Sequence, residues 1–346
     1  MGLFGGVLDL STWWGVLLAC AVVLAALALV NVALARRAER RHPPAGAFVE
    51  VDGVRLHYTD RGSGRPVVLV HGNAVTGGDY NTSGVAERLL AGSSYRVIVF
   101  DRPGFGHSER PRWRLWTASA QADLLHKALA RLDVRRPVVV GHSWGTLVAL
   151  AFAVRHPADT AGLVLLSGYY FPTLRLDALM VAPVAVPVLG DVLRYTVSPV
   201  FGWLNMPLLK LAMFAPSRVT NRFKAEYSNA MALRPSQIRA MAEDGALMVP
   251  GAMGLRARYG ELAMPVAIVA GDGDIVVRKR QAERLHGAVP GSSLEIVQGS
   301  GHMVHHVATD RVVEAVAAVA GEAGGSSVSP GRFPQPAASR AEAAAP

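Results

Sequence analysis

"PVVVGHSWGTLVAL", Pro137 to Leu150, carries the reading of the fold. Three valines form a short β-branched apolar run, the pattern of a fully buried strand. From Trp144 onward leucine, valine and alanine recur at helical spacing. Between strand and helix stands Gly141-His142-Ser143-Trp144-Gly145, a G-x-S-x-G pattern. Such a turn holds a serine hydroxyl clear of the sheet, and glycines two residues before and after it avoid collision with the adjoining strand and helix. The alternative is a glycine-rich turn with an incidental serine, so the rest of the chain must decide.

Outward from this stretch the chain alternates. Phe48 to Asp60 alternates apolar and polar around Asp52-Gly53, a hairpin signal. Short apolar runs follow at 67–70, 97–100, 138–140, 163–166, 266–269 and 294–297, separated by helical stretches. Strands alternating with helices predict an α/β fold, a mostly parallel sheet with helices on both faces. Ligands then bind beyond the carboxyl ends of the strands. The turns at those ends read "HGN", "DRPGFGHS", "GHSWG", "SG", "GDGD" and "GSGH". The alternation stops between Gly168 and Met264, where prolines, methionines and aromatics predict an inserted helical cap.

With these turns in this order, the chain resembles the α/β-hydrolase fold superfamily, in its serine hydrolases with an inserted cap. The resemblance spans roughly Val49 to Gly321 and implies a core of 46–167 and 265–321 split by a cap of 168–264. It implies Ser143 as nucleophile, His302 as its general base and Asp274 as the acid that orients the imidazole. The first histidine after Gly-Ser-Gly matches the family position, so His302 is preferred to His305 and His306. Asp272 better suits a loop-capping role. The backbone N–H groups of Asn73 and Trp144 are the implied oxyanion donors. His71 and His142 are expected to be structural, and Asp101 and His107 to brace a loop. The chemistry needs no cofactor and no metal. A metal site on the three histidines has no carboxylate at suitable spacing. Asn73 and Trp144 also resemble the halide-holding pair of haloalkane dehalogenases. Those need an aspartate nucleophile, since serine attack on an alkyl carbon would leave a stable ether.

Composition sets the remaining expectations. The chain has 346 residues, 51% of them apolar and 18% charged, with a net charge of +9. The basic excess sits in short runs such as Arg36, Arg37, Arg40 and Arg41, without a nucleic-acid-binding motif, so nucleic acid is not an expected partner. The single cysteine, Cys20, excludes an intrachain disulfide. Trp13 to Ala35 carries no charge, long enough to cross a hydrocarbon core of about 30 Å as a helix. The run exceeds a signal peptide's and no basic residue precedes it, so an uncleaved single-pass anchor at 13–35 is expected, in contact with membrane lipid. The arginines that follow put the catalytic domain in the cytoplasm. Residues 322–346, rich in Gly, Ser, Pro and Ala, are expected to be a disordered tail.

The expected function is a membrane-anchored serine hydrolase cleaving an ester with an apolar acyl group. Amide or carbon–carbon hydrolysis and cofactor-free perhydrolysis use the same triad and stay open. A non-catalytic binding protein on this fold would be expected to have lost a triad member.

Overall fold

The computed structural model describes residues 10–92 and 94–323; nearly all of the expected tail lies outside them. Glu322 and Ala323, assigned to the tail from sequence, instead end the helix Thr309–Ala323. Eight strands form one sheet: β1 (Ala47–Val51), β2 (Val54–Gly62), β3 (Arg65–Val70), β4 (Tyr95–Phe100), β5 (Val138–His142), β6 (Gly162–Leu166), β7 (Val266–Gly271) and β8 (Ser293–Val297). Their order is β1-β2-β4-β3-β5-β6-β7-β8. The first two strands run antiparallel, turning at Asp52 and Gly53, both with positive φ. β4 to β8 and β3 are parallel to one another.

The central strands show why they read as continuous apolar runs. Val67 and Leu69 pack with Val138, Val140 and Val164 on one face, beneath the helices Val85–Ala91 and Thr309–Ala323. Val68 and Val70 pack with Val139, Leu163 and Ile268 on the other, beneath Ala118–Arg131 and Gly145–Arg155. A strand covered on both faces has no solvent side, so its period of two disappears from the sequence.

Between β6 and β7 the chain forms a series of helices, among them Leu176–Val181, Leu189–Tyr195, Val197–Phe214, Asn221–Glu226 and Pro235–Leu255. A fully buried ion cluster ties them to the sheet. Asp244 accepts from Arg102 at 2.5 Å and from Arg110 at 2.9 Å. Burying these charges is tolerable because both carboxylate oxygens are bonded. Arg110 is therefore internal rather than part of the basic surface.

The N-terminal helix runs Leu10–Arg41 without a break. Two helices among the described residues are long and apolar enough to cross a membrane, Trp13–Arg41 and Val197–Phe214; the second departs from the single span read from sequence. The first does not hang free of the body. Asn31 and Ala38 are buried, Asn31 Nδ2 donates to the Tyr195 and Thr196 carbonyls at 2.8 and 3.0 Å, and Glu39 pairs with Arg234 at 2.9 Å.

Candidate active site

Ser143 sits between β5 and the helix Gly145–Arg155 with φ at +51°. A non-glycine residue there costs on the order of 1–3 kcal/mol and persists only where its surroundings dictate it. The flanking glycines are part of that constraint. A Cβ on Gly145 would stand 2.3 Å from the Val70 carbonyl oxygen, and one on Gly141 2.7 Å from that of Gly145. The backbone is held from below as well, since Ser143 N–H donates to the Leu166 carbonyl at 2.9 Å. Its side chain is thereby lifted off the sheet and stays partly exposed.

The structure brings the three residues named from sequence together. His302 Nε2 is 2.9 Å from Ser143 Oγ, and His302 Nδ1 is 2.8 Å from Asp274 Oδ2. Asp274 follows β7 and is buried; its other oxygen, Oδ1, accepts from the N–H groups of Val276 and Val277, both at 2.8 Å. One carboxylate thus caps its loop and faces the imidazole. The loop-capping role read for Asp272 belongs to Asp274 instead: Asp272 Oδ1 is buried without a hydrogen-bond partner among the described residues. His302 follows β8, on a turn clamped by the inserted helices. Met303 N–H donates to the Met213 carbonyl at 3.1 Å, and a Cβ on Gly301 would meet the Ala215 carbonyl oxygen at 2.3 Å.

Asn73 and Trp144 flank Ser143 on β3's end and the helix start. Neither backbone N–H is engaged by an acceptor among the described residues. Their side chains are engaged. Trp144 Nε1–H donates to the Asp244 carbonyl at 2.8 Å, and Asn73 Oδ1 accepts from Arg102 at 2.8 Å. The Arg102 guanidinium lies 4.6 Å from the Trp144 ring.

The other polar residues of these turns brace them. His71 Nε2 accepts from Arg102 N–H at 2.9 Å while Nδ1 donates to the Gly72 carbonyl at 2.7 Å. Burial, with the Arg102 charge adding to it, lowers its pKa to about 4. Asp101 accepts from Gly77 and His107 N–H groups at 2.8 and 3.0 Å and pairs with His57 at 2.7 Å.

One buried cluster was not legible in the sequence. His305 and His306 each place Nε2 on an oxygen of Asp79, at 2.7 and 2.8 Å. Burial raises the Asp79 pKa, but the two histidines outweigh it and hold the carboxyl well below its usual range. His142 lies beside them, its ring 4.3 Å from that of His305. Burial, then the His305 and His302 charges, push its pKa well down. The carboxylate missing from the histidine run therefore arrives from Asp79, and the ligand atoms of Asp79, His142 and His305 lie within 4.8 Å of one another. Both Asp79 oxygens are already engaged by histidine, so the cluster stands compensated as it is. Asp79 carries no local motif, and nothing in the sequence near His305 and His306 points to it as their partner. A cleft of about 220 Å³, lined by Ala74, Asp79, Phe223 and Tyr227, lies to this side and does not include Ser143.

A model of the alpha/beta hydrolase fold matches residues 65–309. The chain belongs to the α/β-hydrolase fold family. An uncharacterized protein of Mycobacterium tuberculosis is 29% identical over 290 residues, 79% of this chain and 80% of that protein. Haloalkane dehalogenase 2 of the same species is 27% identical over 277 residues, 76% and 90% of the two chains. Among solved structures, a membrane phospholipase A described as a bacterial virulence factor superposes with a TM-score of 0.62 at 21% identity, covering 92% of this chain and 97% of that one. At that identity the likeness speaks for the fold. Fold and family agree with the order of motifs read from sequence, and the chain is a hydrolase-fold protein with esterases among its structural neighbours.

Proposed function

We propose that the protein is a serine hydrolase that cleaves a carboxylic ester, held at a membrane by its N-terminal helix with the catalytic domain on the cytoplasmic side. The observation that carries the reading is the contact chain Ser143 Oγ, His302, Asp274, at 2.9 and 2.8 Å, on a strained turn. A serine hydroxyl needs such a base to attack at neutral pH. Ser143 Oγ would add to the ester carbonyl carbon as His302 Nε2 takes its proton. The oxyanion would be met by the N–H groups of Asn73 and Trp144. Collapse of the adduct breaks the bond to the alcohol oxygen, which takes the proton from His302. Water, deprotonated by His302, then cleaves the acyl-enzyme and regenerates Ser143.

Halide release fits the site poorly, despite the likeness to a dehalogenase. Ser143 stands where an alkyl-transfer mechanism needs an aspartate. The Trp144 indole N–H, which would have to face a halide, is spent on the Asp244 carbonyl. The anchor rests on the charge-free run 13–35 of the N-terminal helix and on Arg36, Arg37, Arg40 and Arg41 at its end.

Labelling the full chain with a fluorophosphonate, followed by peptide mapping, tests the reading before any substrate is known. Label on Ser143 is expected, and loss of label and of 4-nitrophenyl ester hydrolysis in folded Ser143→Ala. Turnover by Ser143→Ala at the wild-type rate would end it.

A further inference from the structure

We propose that the outer face of the helix Val197–Phe214 lies in the lipid bilayer beside the N-terminal helix, so that the ester is drawn from the membrane. The substrate class is then a membrane-resident amphiphile. The substrate part rests on the esterase reading above; the surface part does not.

The face is apolar and one-sided. Val197, Phe201, Leu204, Leu208 and Leu211 recur every three or four residues, and all are exposed, Leu208 at 66% and Leu204 at 62%. The helix's one charged residue, Lys210, is turned away from this stripe, its Nζ 4.7 Å from the Tyr227 ring. The preceding helix, Leu189–Tyr195, extends the surface with exposed Leu189 and Val192. A contiguous apolar patch of this kind marks a contact surface rather than a solvated one.

What identifies the occupant is continuity with the N-terminal helix. The two carbonyls that bind Asn31 Nδ2, those of Tyr195 and Thr196, belong to the turn from which this helix starts. Asn31 is one turn before Ala35, the last residue of the charge-free run. At about 1.5 Å per residue it lies about 6 Å inside that run. If the run spans the hydrocarbon, Val197 starts at its edge. The other end of the same helix reaches the chemistry. Phe214 and Ala215 carbonyls pack against Gly301, and Met213 accepts from Met303 N–H, next to His302. Eighteen residues, about 27 Å of helix, thus join the lipid boundary to the turn that carries His302.

The test uses the full chain with Cys20→Ala, reconstituted in vesicles of phosphatidylcholine and phosphatidylglycerol. Spin labels are placed in turn at Leu204, Leu208 and, as a solvated reference, Glu283. At the two leucines, collision with oxygen is expected to exceed collision with a water-soluble nickel chelate, and the reverse at Glu283. Nickel access at the leucines equal to that at Glu283 would overturn the proposal. Low access to both reagents, the mark of a second copy of the chain on this face, would overturn it too. This readout needs no turnover, so an inactive wild-type protein would sink the esterase reading and leave the surface test standing. In an active protein, L204E/L208E is expected to lower the rate on 4-nitrophenyl palmitate dissolved in the vesicles, relative to 4-nitrophenyl acetate in water, at least about tenfold. An unchanged ratio would refute delivery from the bilayer.

Discussion

Asp274→Asn is expected to abolish turnover while leaving the fold almost untouched. Oδ1 of Asp274 is held by two backbone donors, Val276 and Val277 N–H. An asparagine must keep its carbonyl oxygen there, because an NH2 group would face two donors. The NH2 group is thereby forced toward His302 Nδ1, where Oδ2 now sits at 2.8 Å. Nδ1 must then offer a lone pair, so the ring proton moves to Nε2 and faces Ser143 Oγ. A protonated Nε2 cannot take the serine proton. The corresponding change in worked Ser-His-Asp enzymes lowers kcat by about 10⁴, or roughly 5 kcal/mol of transition-state stabilisation. Asp274→Ala removes the same orientation and also orphans two N–H groups. At about 1–3 kcal/mol for a buried donor left unpaired, the Val277 N–H alone should make it cost roughly that much more of stability. The assay pairs 4-nitrophenyl ester kinetics with denaturant unfolding of wild type and both variants in detergent. Activity of Asp274→Asn within about tenfold of wild type would refute the tautomer argument. Equal stability of the two variants would refute the capping role of Oδ1.

Two further outcomes follow from particular contacts. Gly145→Ala puts a Cβ 2.3 Å from the Val70 carbonyl oxygen, a strand atom that cannot yield, and should give little folded, fluorophosphonate-reactive protein; Gly254→Ala, which meets nothing within 4 Å, should label normally and melt at or slightly above wild type in a thermal scan. Stability should fall as pH drops. His71 has a folded pKa of about 4 against an ordinary 6.5, so the unfolded chain binds its proton first and stability present above pH 6.5 is lost down to pH 4. At about 1.4 kcal/mol per pH unit that is roughly 3 kcal/mol, and the depressed pKa values of His142 and His305 act in the same sense. Urea titrations at constant ionic strength check it; a midpoint that stays flat or rises from pH 7 to 4.5 would contradict it.

The sequence by itself determined the strands and the turns that end them, because both are local. A strand buried on two faces must be an apolar run, and a serine at φ +51° needs Gly141 and Gly145 around it. The order of the turns then named Ser143, Asp274 and His302 before any coordinate, though not their distances. The tertiary structure decided what depends on residues far apart in the chain. Nothing near Asp79 announces that it will bind His305 and His306, 226 and 227 positions away. Nor does Arg110 announce that it will be buried on Asp244 rather than solvated. The division of labour between Asp272 and Asp274 turned on which carboxylate meets two N–H donors, a matter of loop geometry. The N-terminal helix reads as an anchor because its apolar run is uniform; only packing shows that its last turns, at Asn31 and Ala38, are buried against the body. The helix Val197–Phe214 is the same case in reverse. Its composition suits a core, and it is tertiary packing, which covers Met206 and Met213 but not Leu204 and Leu208, that leaves one face for a partner.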